Sequence, residues 1–219
     1  MKYRSIINLN KTIAKEIFTN IEYPFEILPN LRELIIELGS SLNEEDYLEV
    51  GENIWVGKDV YIDKESRIEG PAIIDDGAII RKGAYIRENV IIGKNTIIGN
   101  CSEIKNSIIF DSCQISHFNY VGDSILGYKV HMGAGAIISN LKNDRSNVII
   151  RGEKIIDTNL RKFGSIVGDN TEIGCNSVVY PGTIIYPRVS IYPLVRVRGV
   201  IEEDSIVKDE NDIIKKEDI

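Results

Sequence analysis

Aliphatic residues recur every six positions along this chain, at Val56, Ile62, Ile68, Ile74, Ile80, Ile86, Ile92, Ile98 and Ile104. The period resumes at Leu126, Met132 and Ile138, and again at Val167, Ile173, Val179, Ile185, Ile191 and Val197. Glycine follows the aliphatic residue at Gly57, Gly93, Gly99, Gly127, Gly133, Gly168 and Gly174. A period of six matches neither a 3.6-residue helix nor the two-residue alternation of an ordinary sheet. It suits short strands that turn a corner every six residues, three such faces closing a triangular coil of about eighteen. Successive coils pair their backbones at roughly 4.8 Å, so about seven coils make a prism roughly 34 Å tall. The spacing therefore predicts an all-β chain, a parallel β-helix. A right-handed solenoid, whose coils are less regular in length, is the alternative winding.

Such a prism leaves unpaired strand groups at both ends, which must be covered. Residues 1–50 are expected to form a small helical N-terminal cap for the first coil. Pro29-Asn30 precedes Leu31, Leu34, Ile35 and Leu38, a helical stripe ending at Gly39, so a capped amphipathic helix is predicted over 30–39, with a weaker one over about 10–19. The β-helix itself is expected over 51–201. The charged tail 202–219 reads as a strand remnant and short helix, or a frayed end.

A net charge of -7 argues against a nucleic-acid-binding surface. The three cysteines, Cys101, Cys113 and Cys175, are too scattered for a disulfide framework or zinc cluster, which fits a reducing compartment. No apolar run is long enough for a spanning helix, so a cytoplasmic protein is expected.

The repeat breaks in two places, and such breaks tend to mark function. Counting six from Ile104 puts Phe110 and Ser116 inward, after which Val121 and Leu126 come at five-residue steps, through SHFNYVGDSILG with His117. After Ile138 the period is lost until Val167, so about 139–166 should leave the solenoid as a loop or arm rich in Lys and Arg. Arg87 and Lys105 each follow an inward isoleucine one coil apart, so they should stack. Two cations about 5 Å apart repel unless an anion neutralises them. They form either a phosphate cradle or a solvated surface pair. Tyr180, Tyr186 and Tyr192 follow inward aliphatics six apart and read as an exterior aromatic face.

The segments GNCSEIKNS (99–107), SHFNYVGDSILG (116–127), MGAGAIISNLKND (132–144) and RGEKIIDTNLRKFGSIVGD (151–169) resemble the acetyltransferase half of bifunctional sugar-1-phosphate nucleotidylyltransferase/acetyltransferases that make UDP-N-acetylglucosamine. The resemblance covers a little over half the chain and implies a left-handed β-helix working as a homotrimer, with acetyl-CoA in the groove between neighbouring solenoids and no metal. It implies His117 as general base, since an imidazole can take a proton from an amine attacking a thioester. It further implies Asn140 at the reacting groups, with Arg87, Lys105, Tyr120, Glu103 and His131 around the sugar phosphate. Gly133, Ala134 and Gly135 would offer backbone N–H groups to the thioester oxygen, with Cys175 and Pro193 along the CoA groove. His131 stands where the family often carries an amide. Residues 1–50 are too few for the nucleotidylyltransferase half and hold no glycine-rich phosphate loop.

The expected activity is acetyl transfer from acetyl-CoA to the amine of glucosamine- or galactosamine-1-phosphate. A sugar O-acyltransferase of the same fold and a catalytically silent assembly protein are the alternatives. A carbonic anhydrase of this fold needs three histidine ligands, and the chain has two.

Overall fold

A computed structural model describes residues 5–216. Short parallel strands lie on three faces of a prism, here named first, second and third in the order the chain meets them. Seven coils place a strand on every face, and an eighth places strands on the first two only. Leu48–Gly51 pairs antiparallel with Ile54–Val56 at one end. At the other, Asp212–Lys215 folds back on Ser205–Asp209. Residues 205–215 are thus a hairpin with no helix, its first strand continuing the second face beside Ser190–Ile191, and the last three positions of the expected tail lie outside the described residues.

The inward residues stack in register, as in Ile80↔Ile98↔Ile115↔Met132↔Ile173↔Ile191 on the second face. They form one dry column, every member at most 4% exposed. Each such buried aliphatic side chain contributes about 1.5–3 kcal/mol. Ile109 and Ile115 point inward, correcting the expectation of Phe110 and Ser116. The reason is a shortened corner. Ile109 pairs with Ile92 and Leu126 with Ile109, so the five-residue steps are Ile104 to Ile109 and Val121 to Leu126. Both fall on the edge between the third and first faces, where the 139–166 insertion also departs. Asn106 and Asp123 make these tight corners with positive φ, which their side chains tolerate.

The first face is apolar outside as well as inside. Trp55, Ile73, Ile91, Ile108, Ile125, Ile166 and Ile184 point away from the column, yet all are buried. What covers them is the N-terminal segment, which lies along this face as a strap rather than across the open end. Ile6 carbonyl accepts from Asp169 N, Lys11 carbonyl from Asp111 N, Phe18 meets Phe110 edge-on at 5.9 Å, and Gly39 abuts Trp55. The strap therefore runs from the sixth coil to the first. Its α-helix α1 spans Leu31–Ser40, and the weaker segment forms 3-10 turns at Leu9–Lys11 and Ile13–Phe18. Asn30 makes no side-chain cap, and Gly39 sits inside the last turn because a Cβ there would lie 2.3 Å from the Trp55 ring.

The insertion folds back onto the same face. Ile149–Arg151 and Ile155–Asp157 make an antiparallel hairpin, and Val148, Ile150 and Phe163 join the outer core, Phe163 at 5.4 Å from Phe25. Among the described residues no helix is long and apolar enough to cross a membrane.

Candidate active site

The edge between the second and third faces gathers four of the expected residues. Gln114, His131, Glu172 and Ser190 are at one register, so three positions on, His117, Ala134, Cys175 and Pro193 stack in consecutive coils. The ladder holds them: Gly135 N donates to His117 carbonyl at 2.8 Å, Asn176 N to Ala134 carbonyl and Leu194 N to Cys175 carbonyl, both at 2.9 Å. His117 is exposed, and its ring makes no hydrogen bond to any described residue. With Arg81, Ile97, Gly99, Asn100, Gln114 and Ser116 it lines a depression of about 320 Å³.

The glycine-rich corner differs from expectation. Gly133 N donates to Ile173 carbonyl and Gly135 N to His117 carbonyl, so both are spent on the ladder and neither is free for a thioester oxygen. Their glycine character serves the coil. A Cβ on Gly133 would lie 2.8 Å from Cys175 N, and Gly135 has φ +72°. Ala134 N has no partner among the described residues.

Crossing the third face from this edge, the chain passes Tyr120 and reaches the Arg87/Lys105 register in five residues, at most about 17 Å. The stacked cations already have anions. Arg87 Nη1 lies 3.1 Å from Glu103 and its Nε 3.6 Å from Glu88, which is 3.9 Å from Lys105 Nζ. Glu103 thus serves the cations before it serves a ligand, and holds the guanidinium firmly protonated. Lys105 is the more sheltered cation, its side chain 16% exposed against 33% for Arg87.

Behind them runs a ladder of amides. Asn89 Nδ2 donates to Asn106 Oδ1 at 3.3 Å, Asn106 Nδ2 to Asp123 Oδ1 at 2.8 Å, and Asn140 Nδ2 to the other Asp123 oxygen. Asn140 Nδ2 also lies 3.2 Å from Tyr120 Oη, and burial raises the Tyr120 phenol above its ordinary pKa. Asp123, 4% exposed, is the hub that ties Asn140 and Tyr120 to the cation edge. Replacing it with alanine strands two amides, and a loss of about 2–3 kcal/mol in denaturant unfolding is expected.

His131 stands apart from these groups, outward on the second face. Its Nδ1 is 2.7 Å from Glu172 Oε2 and its Nε2 3.1 Å from Ser116 Oγ, so both ring nitrogens are engaged within the chain. Sequence reasoning missed Glu88, Asp123, Ser116 and Glu172. Asp123 lay in the quoted motif, but the insertion separates Glu172 from His131 in sequence although the two pair in consecutive coils. Tyr180, Tyr186 and Tyr192, grouped as one aromatic face, occupy three different edges, because six residues advance the chain by one face. Tyr186 packs into the outer core, whereas Tyr180 and Tyr192 are exposed. Cys113 lies in the inner column, where burial pushes its thiol up to about 12; Cys101 and Cys175 are exposed at corners.

Comparison with known proteins meets this geometry on the stretch that carries it. Residues 68–161 match the GMPPB C-terminal domain. That match includes Arg87, Lys105, His117, Tyr120 and Asn140 and stops short of Cys175 and Pro193. A bifunctional protein GlmU from Methanococcus maripaludis is 46% identical over 77 residues, 34% of this chain and 18% of that protein. A bifunctional sugar-1-phosphate nucleotidylyltransferase/acetyltransferase from Sulfurisphaera tokodaii is 36% identical over 78 residues, 35% of this chain and 20% of that protein. The chain thus spans about a fifth of the length of these relatives. Among solved structures, the acetyltransferase domain of PglB from Neisseria gonorrhoeae, in complex with acetyl coenzyme A, aligns with a TM-score of 0.30 and 14% identity, over 82% of this chain and 76% of that one.

Proposed function

We propose that this protein transfers an acetyl group from acetyl-CoA to the amine of a hexosamine-1-phosphate, with His117 as general base. One observation carries the reading. An exposed histidine whose ring bonds no described residue stands at one end of a face whose other end holds Arg87 and Lys105, with Tyr120 between them. An acceptor lying across that face would put its phosphate near the cations and its amine toward the imidazole. His117 would take the amine proton as nitrogen attacks the thioester carbonyl, and the thiolate would leave protonated.

The Ala134, Cys175 and Pro193 edge runs away from His117 along the prism axis, a shallow track suited to an extended CoA arm once a second subunit walls it in. The first face is already covered by the strap and hairpin, so a trimer would join through the other two faces. Glu103 and Glu88 would rearrange when phosphate arrives, since the two cations cannot serve both at full strength.

This reading separates phosphate recognition from chemistry. Arg87→Ala is expected to raise KM for glucosamine-1-phosphate about tenfold or more, while leaving the much higher KM for glucosamine little changed. Steady-state thiol release with both acceptors measures it. Equal effects on the two acceptors would remove the phosphate role.

A further inference from the structure

The second face carries a line of three side chains that the transfer reading does not use. Ser116 Oγ lies 3.1 Å from His131 Nε2, and His131 Nδ1 lies 2.7 Å from Glu172 Oε2. We infer that Ser116, His131 and Glu172 form a nucleophile, base and orienting carboxylate that accept a short acyl group from thioesters or activated esters and pass it to water.

The connectivity is that of an activated serine. A carboxylate at Nδ1 holds the proton there, which leaves the Nε2 lone pair facing the hydroxyl. Both distances lie in the range such pairs need, and the order of partners on the ring is the one that works. The scaffold fixes all three. Gln114, His131 and Glu172 are directly stacked across three consecutive coils, and Ser116 sits two residues beyond Gln114. Ser116 N donates to Met132 carbonyl at 3.1 Å, and Gly99 is forced by Ser116, whose carbonyl would lie 1.3 Å from a Cβ there.

The surroundings fit an acyl substrate. The depression of about 320 Å³ lies on the side of Ser116 away from His131, with Ile97 and Gln114 in its wall. It has room for a short acyl chain. The backbone N–H of His117, the residue after the nucleophile, has no partner among the described residues, nor does that of Ala134 in the next coil. These are the available donors for a developing oxyanion.

The step balances with water as the only co-reactant. Ser116 Oγ bonds to the acyl carbon while His131 Nε2 takes the hydroxyl proton; the carbon–sulfur bond breaks and that proton goes to the departing thiolate. Water then attacks the ester, giving one proton to His131 Nε2. The carbon–oxygen bond breaks, the proton returns to Oγ, and a carboxylic acid leaves.

The test uses the whole protein without acceptor. Acetyl-CoA and p-nitrophenyl acetate are supplied separately, thiol or nitrophenol release is followed, and acid-quenched protein is mapped by mass spectrometry. Release above the buffer rate is expected, with one acetyl group on the peptide bearing Ser116. Ser116→Ala is expected to lose the label and at least about a hundredfold in release, and Glu172→Gln to slow release about tenfold while keeping the label on Ser116. No wild-type release, a label elsewhere, or unchanged release in Ser116→Ala would overturn the inference. Hexosamine-phosphate-dependent transfer with an unlabelled Ser116 would also overturn it, leaving the transfer reading standing. Acceptor-free release through a labelled Ser116, with no response to hexosamine phosphates, supports it and removes the transfer reading.

Discussion

Replacing His117 with alanine is expected to lower acceptor-dependent acetyl transfer about a hundredfold or more, the usual worth of a positioned general base. The fold should not change. The ring is exposed and bonds no described residue, whereas the carbonyl of the same residue holds Gly135 N in the ladder, and a side-chain replacement leaves that bond intact. Thermal unfolding should therefore coincide with wild type while kcat falls. KM for the acceptor should move little, since the proposed reading assigns acceptor binding to Arg87, Lys105 and Tyr120 at the other part of the face. A fall in stability comparable to the fall in rate would mean that His117 is a structural residue.

The second large effect is on stability. Phe110→Ala is expected to cost about 3–5 kcal/mol in denaturant unfolding, because a fully buried aromatic leaves a cavity that the surrounding structure only partly fills. Phe110 points out of the first face into Phe18 of the strap, so the loss falls on the joint between strap and solenoid. Phe18→Ala should cost a similar amount. The double variant should lose less than the sum, by about 0.5–1.5 kcal/mol for an edge-on aromatic pair. Strict additivity would show that the strap and the face do not support each other through these rings.

Much of the solenoid was legible because its inward positions obey one rule, and Ile80, Ile86 or Ile98 could be assigned by counting alone. The slip at Phe110 shows where counting fails. Ile108, Ile109 and Phe110 are three consecutive apolar residues, and all three are buried, the middle one inside and its neighbours outside. The asparagine two residues before Ile108 does not give the shortening away, since Asn106 takes the left-handed conformation that Asn89 also takes at the full-length corner one coil earlier. The strap was missed for a related reason. Paired apolar residues such as Ile73-Ile74, Ile91-Ile92 and Ile184-Ile185 signal a face buried on both sides, but the period of six directs attention only to the second of each pair.

At the site, the stacking of Arg87 on Lys105 followed from their eighteen-residue spacing, yet the anions that neutralise them did not. Glu88 and Glu103 become partners through side-chain length and corner shape, which no periodicity encodes. The contact of His131 with Glu172 was obscured for another reason: the insertion stretches a one-coil step to forty-one positions, although the two residues pair in consecutive coils. The hand of the coil and the roles of His117 and Asn140 rested on family resemblance, not on spacing.

The most direct measurement supplies acetyl-CoA with glucosamine-1-phosphate or galactosamine-1-phosphate and follows both thiol release and the mass of the sugar product. Release that rises with acceptor concentration above the acceptor-free rate, with an N-acetylated hexosamine phosphate as product, is the expected result. A folded protein that gives no acceptor-dependent release and no acetylated sugar with either phosphate would contradict the account.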